Sequence, residues 1–167
     1  MRSRACAAPT ADGERYLSND VTAFETTSGD EPMRLLLVED SKFDARLIET
    51  FLSMAEFPRG LDMSHVVRLS EARDYLTRQR VDCVLLDLGL PDGEGLANIS
   101  AITEVAPETA IIVLTGLKND TIATTALQQG AQDYIVKGDY EDGDALLRTI
   151  RYAIERRAKE VKESQAV

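Results

Sequence analysis

The sequence predicts a doubly wound α/β domain, built on a five-stranded parallel sheet with helices on both faces. Short continuous apolar runs recur along the chain, each bounded by polar residues or by turns that contain glycine. Such runs are typical of strands that are buried on both faces. The segments between them place apolar residues at the helical period. Strands that alternate with helices through right-handed crossovers give a parallel sheet that is covered on both sides.

Five strands are predicted in chain order. Four of the runs are strongly apolar, whereas Ser64 and His65 interrupt the second run, which we therefore interpret as an edge strand with a structural or exposed histidine. The predicted strands cover residues 35–38, 63–67, 83–86, 111–114 and 134–136.

Five helices are predicted from apolar residues that repeat at the helical period. Ser70 is a candidate N-cap of the second helix, Gly130 is expected to end the fourth, and the last is expected to begin near Asp142. The apolar positions that mark the helices, in chain order, are Leu47, Ile48, Phe51, Leu52 and Ala55; Leu69, Ala72, Tyr75 and Leu76; Leu96, Ile99 and Ile102; Ile122, Ala126 and Leu127; and Leu147, Ile150, Ile154, Ala158 and Val161.

Composition narrows the class of protein. The 167 residues are 44% hydrophobic and 29% charged, as in a globular domain of ordinary size, and the net charge of -10 argues against direct binding to nucleic acid. No apolar run is long enough for membrane insertion. One histidine and two cysteines argue against a histidine-rich metal site and against a disulfide framework. We expect a cytoplasmic protein, since the N-terminus lacks the apolar segment of a secretory signal.

The chain is expected to have three parts. Residues 1–32 are polar and lack periodicity, so we expect a disordered extension, with Met33 as a possible true start of translation. Residues 33–157 form the domain. Residues 158–167 are expected to extend the last helix.

Polar side chains stand where the predicted strands end. Glu39 and Asp40 follow the first strand, Asp87 the third, Thr115 the fourth and Lys137 the fifth. Ligands of open parallel sheets bind outside the carboxyl ends of the strands, so these side chains should meet in one crevice.

The chemistry of this group of residues is coherent. Three carboxylates need a counter-charge, and Mg²⁺ suits a site with few protein oxygens plus water and phosphate. Lys137 and Thr115 offer donors to a phosphoryl oxygen, and one carboxylate could act as a nucleophile. Taken singly, each residue also has a simpler reading as a helix cap, a turn residue or a solvated charge. Their joint position at the strand ends favours a site.

Four segments together resemble the receiver domains of two-component response regulators: "LLLVEDSKFDARLIETFL", "VLLDLGLPDGEGL", "IIVLTG" and "GAQDYIVKG". The resemblance covers residues 33–157 and includes the spacings of 28 residues from Asp87 to Thr115 and 22 from Thr115 to Lys137. It implies a flavodoxin-like sheet with strand order 2-1-3-4-5. The function it implies is a phosphorylation-activated signalling switch rather than a classical enzyme.

The resemblance also implies roles for individual residues. Asp87 would accept a phosphoryl group from a sensor histidine kinase or a histidine phosphotransfer protein, and Thr115 and Lys137 would contact that group. Asp40, Asp87 and the backbone carbonyl of Gly89 would ligate Mg²⁺, with Glu39 acting mainly through water. Tyr134 would be the aromatic switch.

The chain departs from the family at Gly138, because receivers often have proline after the lysine. We therefore leave the geometry of the Lys137–Gly138 bond open and expect a looser loop. Gly89 and Leu117, which flank the site, cannot orient a water, so we expect slow loss of the phosphoryl group.

Two other functions are considered. A hydrolase of the haloacid dehalogenase type also uses a strand-end Asp and Mg²⁺, but it needs a second Asp two residues later, where this chain has Gly89. A degenerate receiver would bind partners without phosphorylation.

The last helix suggests a homodimer that phosphorylation strengthens, formed through the fourth and fifth helices. Its apolar stripe continues beyond the length that the sheet requires, and its basic residues could meet acidic residues of a second subunit. The basic residues are Arg148, Arg151, Arg156, Arg157, Lys159 and Lys162, and the acidic ones are Asp139, Glu141, Asp142 and Asp144.

Overall fold

The computed structural model describes residues 31–116 and 119–166. The described residues from Met33 onward belong to one compact unit. The predicted N-terminal extension therefore lies almost entirely outside the described residues, as does Leu117.

The strands form one five-stranded parallel sheet and one short antiparallel hairpin. The sheet strands are β1 (Met33–Val38), β2 (Leu61–Val66), β3 (Cys83–Asp87), β6 (Ala110–Thr115) and β7 (Asp133–Val136), and the hairpin pairs β4 (Gly89–Leu90) with β5 (Gly93–Glu94). The order across the sheet is β2-β1-β3-β6-β7, with all neighbours parallel. Since the hairpin stands apart, this is the predicted order 2-1-3-4-5, and the predicted fold class is confirmed.

Five helices cover the two faces of the sheet: α1 (Lys42–Ser53), α2 (Leu69–Arg78), α3 (Ala97–Val105), α4 (Asp120–Gln128) and α5 (Gly143–Gln165). Alternate residues of β1 show the division, because Leu36 and Val38 pack with α2, α3 and α4 while Leu35 and Leu37 pack with α1 and α5. The strands are therefore buried on both sides, which explains their continuous apolar runs. No described helix is long and apolar enough to cross a membrane.

Strand β2 differs from its prediction by beginning two residues earlier and ending one residue earlier. Its polar residues do not interrupt it, because each has a partner. The Ser64 hydroxyl lies 2.9 Å from that of Tyr75, and His65 Nε2 donates to the carbonyl of Glu39 at 2.7 Å. His65 is thus structural and joins the edge strand to the residue that follows β1.

The predicted N-cap at Ser70 is wrong, because α2 begins at Leu69 with Arg68 as its N-cap residue. The carboxylate of Asp92, in the β4–β5 turn, accepts the backbone N–H groups of Leu69 (2.7 Å) and Ser70 (2.9 Å). These hydrogen bonds, that of Ser70 first, lower the pKa of Asp92. The first amides of a helix need outside acceptors, and here a distant loop supplies one.

The end of α4 and the start of α5 lie where the sequence predicted them. Gly130 follows α4 with a φ of 111°, a left-handed conformation that glycine adopts readily, and Asp142 caps α5 by accepting the N–H of Ala145 at 2.7 Å. At the first residue of α5, Gly143, a Cβ atom would collide with the carbonyl oxygen of Phe51. The glycine therefore allows the start of α5 to approach the end of α1.

Candidate functional site

The carboxyl edge of the parallel sheet gathers the predicted site residues. Glu39 and Asp40 directly follow β1, Asp87 and Thr115 are the last residues of β3 and β6, and Lys137 directly follows β7. Asp87 and Thr115 are largely buried, Glu39 is fully buried and Asp40 is exposed. The neighbouring parallel strands therefore bring residues nearly 100 positions apart to one crevice.

Lys137 is the centre of the charge network in this crevice. Its Nζ lies 2.8 Å from Glu39 Oε1, 3.2 Å from Asp87 Oδ1 and 3.3 Å from Asp44 Oδ2. Burial lowers the pKa of Lys137, but the carboxylates of Glu39 and Asp87 outweigh that effect and raise it. Because its pKa is raised, the ammonium stays charged, although the side chain is only 16% exposed to water.

Glu39 is fully buried, and both of its carboxylate oxygens have partners. Burial raises the pKa of this carboxyl group to about 7, and the charge of Asp87 adds to the rise, whereas Lys137 and the N–H of Ser41 oppose it. That N–H donates to Glu39 Oε2 at 3.1 Å. In the structure the carboxylate of Glu39 contacts Lys137 directly. Its expected role towards a metal ion through water stays a prediction.

Three carboxylates at this edge could hold a cation. Glu39, Asp40 and Asp87 each offer one oxygen, and these oxygens lie within 4.8 Å of one another. Carboxylate oxygens are the donors that Mg²⁺ prefers, and three carboxylates so close together repel one another unless a cation offsets their charge. The donor set therefore fits a hard divalent cation.

The loop after β3 is fixed by Asn98, which the sequence analysis did not single out. Its buried side-chain amide donates to the carbonyls of Asp87 (3.4 Å) and Gly93 (3.1 Å). Gly89 lies in β4 and donates its N–H to Asp87 Oδ1 at 3.3 Å. A Cβ atom at Gly89 would meet nothing within 4 Å, so this position leaves open space beside the carboxylate.

Thr115 and Tyr134 share one face of the sheet. The carbonyl of Thr115 accepts the N–H of Lys137 at 2.7 Å, which ties the end of β6 to the lysine. Tyr134 pairs in register with Val113, two residues before Thr115. Paired residues of parallel strands point the same way. The half-buried Tyr134 therefore lies on the face that carries Thr115, packed against the core under α2, α3 and α4.

Two findings concern residues that the sequence left open or missed. The described residues contain no cis peptide bond, so the Lys137–Gly138 bond is trans, and Gly138 has a φ of 86°. Asp44 was not predicted, although its position gave a signal: the first turn of a helix that leaves a strand end lies beside the crevice.

Comparison with known proteins gives a consistent picture. The family model described as "Response regulator receiver domain" matches residues 35–160. The regulatory protein LuxO of Vibrio cholerae is 31% identical over 123 residues, which cover 74% of this chain and 26% of LuxO. The chain therefore spans about a quarter of the length of this curated relative.

Two solved structures have a fold similar to that of this chain. The signal receiver domain of a LuxO repressor from Vibrio parahaemolyticus superposes with a TM-score of 0.65 and 28% identity, covering 78% of this chain and 95% of that domain. The beryllofluoride-activated NtrC4 receiver domain, whose solution structure is a dimer, gives a TM-score of 0.63 and 26% identity, covering 74% and 98%.

Proposed function

The chain belongs to the response regulator receiver family, and we propose on that premise that it acts as a signalling switch whose phosphoacceptor is Asp87. One observation supports this assignment above the others. The ammonium of Lys137 reaches the carboxylate of Asp87 at 3.2 Å, at a sheet edge where two further carboxylates lie within cation-binding distance. A buried strand-end carboxylate beside a fixed ammonium is suited to receive a negatively charged group.

The proposed transfer is a displacement at phosphorus. An oxygen of Asp87 forms a bond to phosphorus while the bond between phosphorus and a histidine nitrogen of the donor breaks, and the imidazole takes the leaving electron pair. Bound at Glu39, Asp40, Asp87 and the carbonyl of Gly89, Mg²⁺ would neutralise charge on the carboxylates and the phosphoryl oxygens. Lys137 donates to one phosphoryl oxygen and Thr115 to another.

Tyr134 supplies the proposed conformational response. Movement of the Thr115 side chain towards the phosphoryl group would free space on the face that it shares with Tyr134, and the half-buried ring would turn inward. The Tyr134 hydroxyl needs a hydrogen-bond partner when it is buried, so the outward and inward positions of the ring would be two distinct states. Tyr134→Ala should be phosphorylated normally, while its affinity for partners no longer changes with phosphorylation. An unchanged dependence would refute the switch role.

The test of the phosphoacceptor is chemical. The chain is incubated with Mg²⁺ and acetyl phosphate, and intact mass is followed over time. We expect one labile phosphoryl group on the wild type, none on Asp87→Asn, and wild-type behaviour for Asp92→Asn, which removes a carboxylate from the adjacent turn. No phosphoryl group on the wild type would favour the binding-module alternative. Sustained hydrolysis of a phosphomonoester would favour the hydrolase.

The proposed partners are a sensor histidine kinase or a histidine phosphotransfer protein in the cytoplasm, together with a second copy of this chain. Leu127 of α4 and Tyr152 of α5 are 47% and 55% exposed, and both helices belong to the surface predicted to dimerise. Two of the arginines already have partners within the subunit, since Arg156 pairs with Asp133 and Arg157 donates to the carbonyl of Pro107.

Sedimentation with and without beryllofluoride and Mg²⁺ tests the dimer. We expect association to strengthen in the activated state and to weaken in Tyr152→Ser. Monomers in both states at high protein concentration would refute it and leave α5 as a docking surface. For the domain limits, we propose that residues 33–157 are the receiver unit and that residues 158–167 continue α5.

A further inference from the structure

Asp44 connects α1 to the end of β7 through Lys137. Its Oδ2 lies 3.3 Å from Lys137 Nζ, although the two residues are 93 positions apart in the chain. Asp44 occupies the first turn of α1, where its backbone N–H donates to the hydroxyl of the N-cap residue Ser41 at 3.2 Å. The carboxylate therefore extends from a backbone position that the helix cap holds in place.

Asp44 differs in kind from the other two partners of the ammonium. Glu39 and Asp87 belong to the described group of carboxylates that could hold a cation, and Asp44 does not. A divalent cation would therefore compete with Lys137 for two of the three described carboxylates that contact its ammonium. The third, which is 28% exposed at the mouth of the crevice, would keep its charge for the lysine.

We infer that Asp44 is a positioning residue for Lys137. It holds the ammonium beside Asp87 when Glu39 and Asp87 are engaged by a cation, so that the lysine faces the incoming phosphoryl oxygens without a search through its rotamers. A lysine side chain has many rotamers, and a fixed anion reduces the conformational freedom that must be lost during the reaction. This inference rests on the proposed function of Asp87 as phosphoacceptor.

The inference makes a claim about cation binding that does not depend on phosphorylation. Without Asp44, the ammonium keeps only Glu39 and Asp87 as described partners and competes for them with any added cation. Loss of Asp44 should therefore weaken binding of Mg²⁺. A partly exposed ion pair contributes about 0.2 to 1 kcal/mol, which corresponds to a change in affinity of up to about fivefold.

The test compares three variants of the whole chain. Asp44→Asn removes the charge and keeps the shape, Asp44→Glu keeps the charge, and Asp139→Asn removes a charge from an exposed position two residues after Lys137. Three quantities are measured: Mg²⁺ affinity by calorimetry, the thermal midpoint without cation, and the rate of phosphorylation by acetyl phosphate at saturating Mg²⁺.

We expect Asp44→Asn to bind Mg²⁺ about two- to fivefold more weakly and to be phosphorylated more slowly, while Asp44→Glu recovers most of both. Asp139→Asn should match the wild type. Equal losses in Asp44→Asn and Asp139→Asn would show a general effect of charge and overturn the inference. A lower thermal midpoint with unchanged Mg²⁺ affinity would show a purely structural ion pair, with the same consequence. If the wild type is not phosphorylated, the proposed function fails, yet the calorimetry still tests the link between Asp44 and Lys137.

Discussion

Replacement of Lys137 by methionine tests the charge balance of the crevice directly. The variant keeps an unbranched side chain but removes the ammonium from Glu39, Asp87 and Asp44. At an effective dielectric constant near 20, each contact of 2.8 to 3.3 Å corresponds to about 5 kcal/mol of gross attraction, most of which desolvation offsets. Breaking such a buried pair typically lowers the free energy of unfolding by about 3 to 5 kcal/mol. Asp44 contributes least to this loss because it is partly exposed.

Protonation of Glu39 should limit the loss, and this gives the effect a dependence on pH. The pKa of Glu39 is about 7 in the folded wild type, above the usual value of 4.5, and it should rise further without Lys137, which lowers it. The folded variant then binds more protons than the unfolded chain from about pH 5 upward, so its stability falls as the pH rises. The difference from the wild type should be small near pH 5 and large near pH 8.

Urea unfolding at both pH values, with and without Mg²⁺, measures this difference. Added Mg²⁺ should narrow it, since a bound cation replaces the missing positive charge, and a ligand at 100 times its Kd stabilises by about 2.7 kcal/mol. Lys42→Met, which removes an exposed lysine from α1, is the matched control and should behave as the wild type. A deficit for Lys137→Met below about 1 kcal/mol near pH 8, or one that does not change with pH, would refute the reasoning.

Three further changes test other parts of the molecule. Gly143→Ala should lower the free energy of unfolding by about 1 to 3 kcal/mol in urea, because its Cβ would collide with the Phe51 carbonyl; a gain, as helix propensity alone predicts, would refute the close approach. Asp92→Ala should cost about 1 kcal/mol through loss of the cap of α2. Since the pKa of Asp92 is lowered, this advantage of the wild type should be present at neutral pH and vanish as the pH falls through the folded pKa in acid titrations. Gly89→Asn should change the rate at which phosphorylated protein loses its phosphoryl group, followed by intact mass, because the position leaves open space for a polar side chain that can orient water; an unchanged rate would refute this account.

The sequence predicted the sheet and its edge well because the physical signal is local. Strands that are buried on both faces must be apolar throughout, so β1, β3 and β6 appear as continuous runs, and a polar residue directly after such a run must stand at the sheet edge. Glu39, Asp87 and Lys137 could therefore be placed together before any coordinates were known. Strand β2 was less clear, since the partners of Ser64 and His65 come from other elements.

Contacts between distant segments could not be predicted in the same way. Asp92 caps α2 from another loop, and a pattern of neighbours along the chain pointed instead to Ser70. Asp44 has the same character, because an acidic residue in the first turn of a helix is usual on grounds of the helix dipole alone. Only the folded structure, in which Lys137 reaches the first turn of α1, shows that this carboxylate also faces a lysine.

The balance of charge explains why one crevice would bind a cation and respond to a phosphoryl group. Among the described residues, three carboxylates, those of Glu39, Asp44 and Asp87, share the ammonium of Lys137. The exposed carboxylate of Asp40 lies within cation-binding distance of Glu39 and Asp87. Burial raises the pKa of Glu39 to about 7, and the charge of Asp87 adds to the rise. A phosphoryl group adds about 1.5 to 2 negative charges near neutral pH. One ammonium would not offset both the carboxylates and this group, so the proposed modified state would require a cation and would attract hydrogen-bond donors towards the phosphoryl oxygens. Thr115 is such a donor and lies on the face of Tyr134. In the proposed switch, the charge at the sheet edge would therefore link chemistry at Asp87 to a change in packing between β6 and β7.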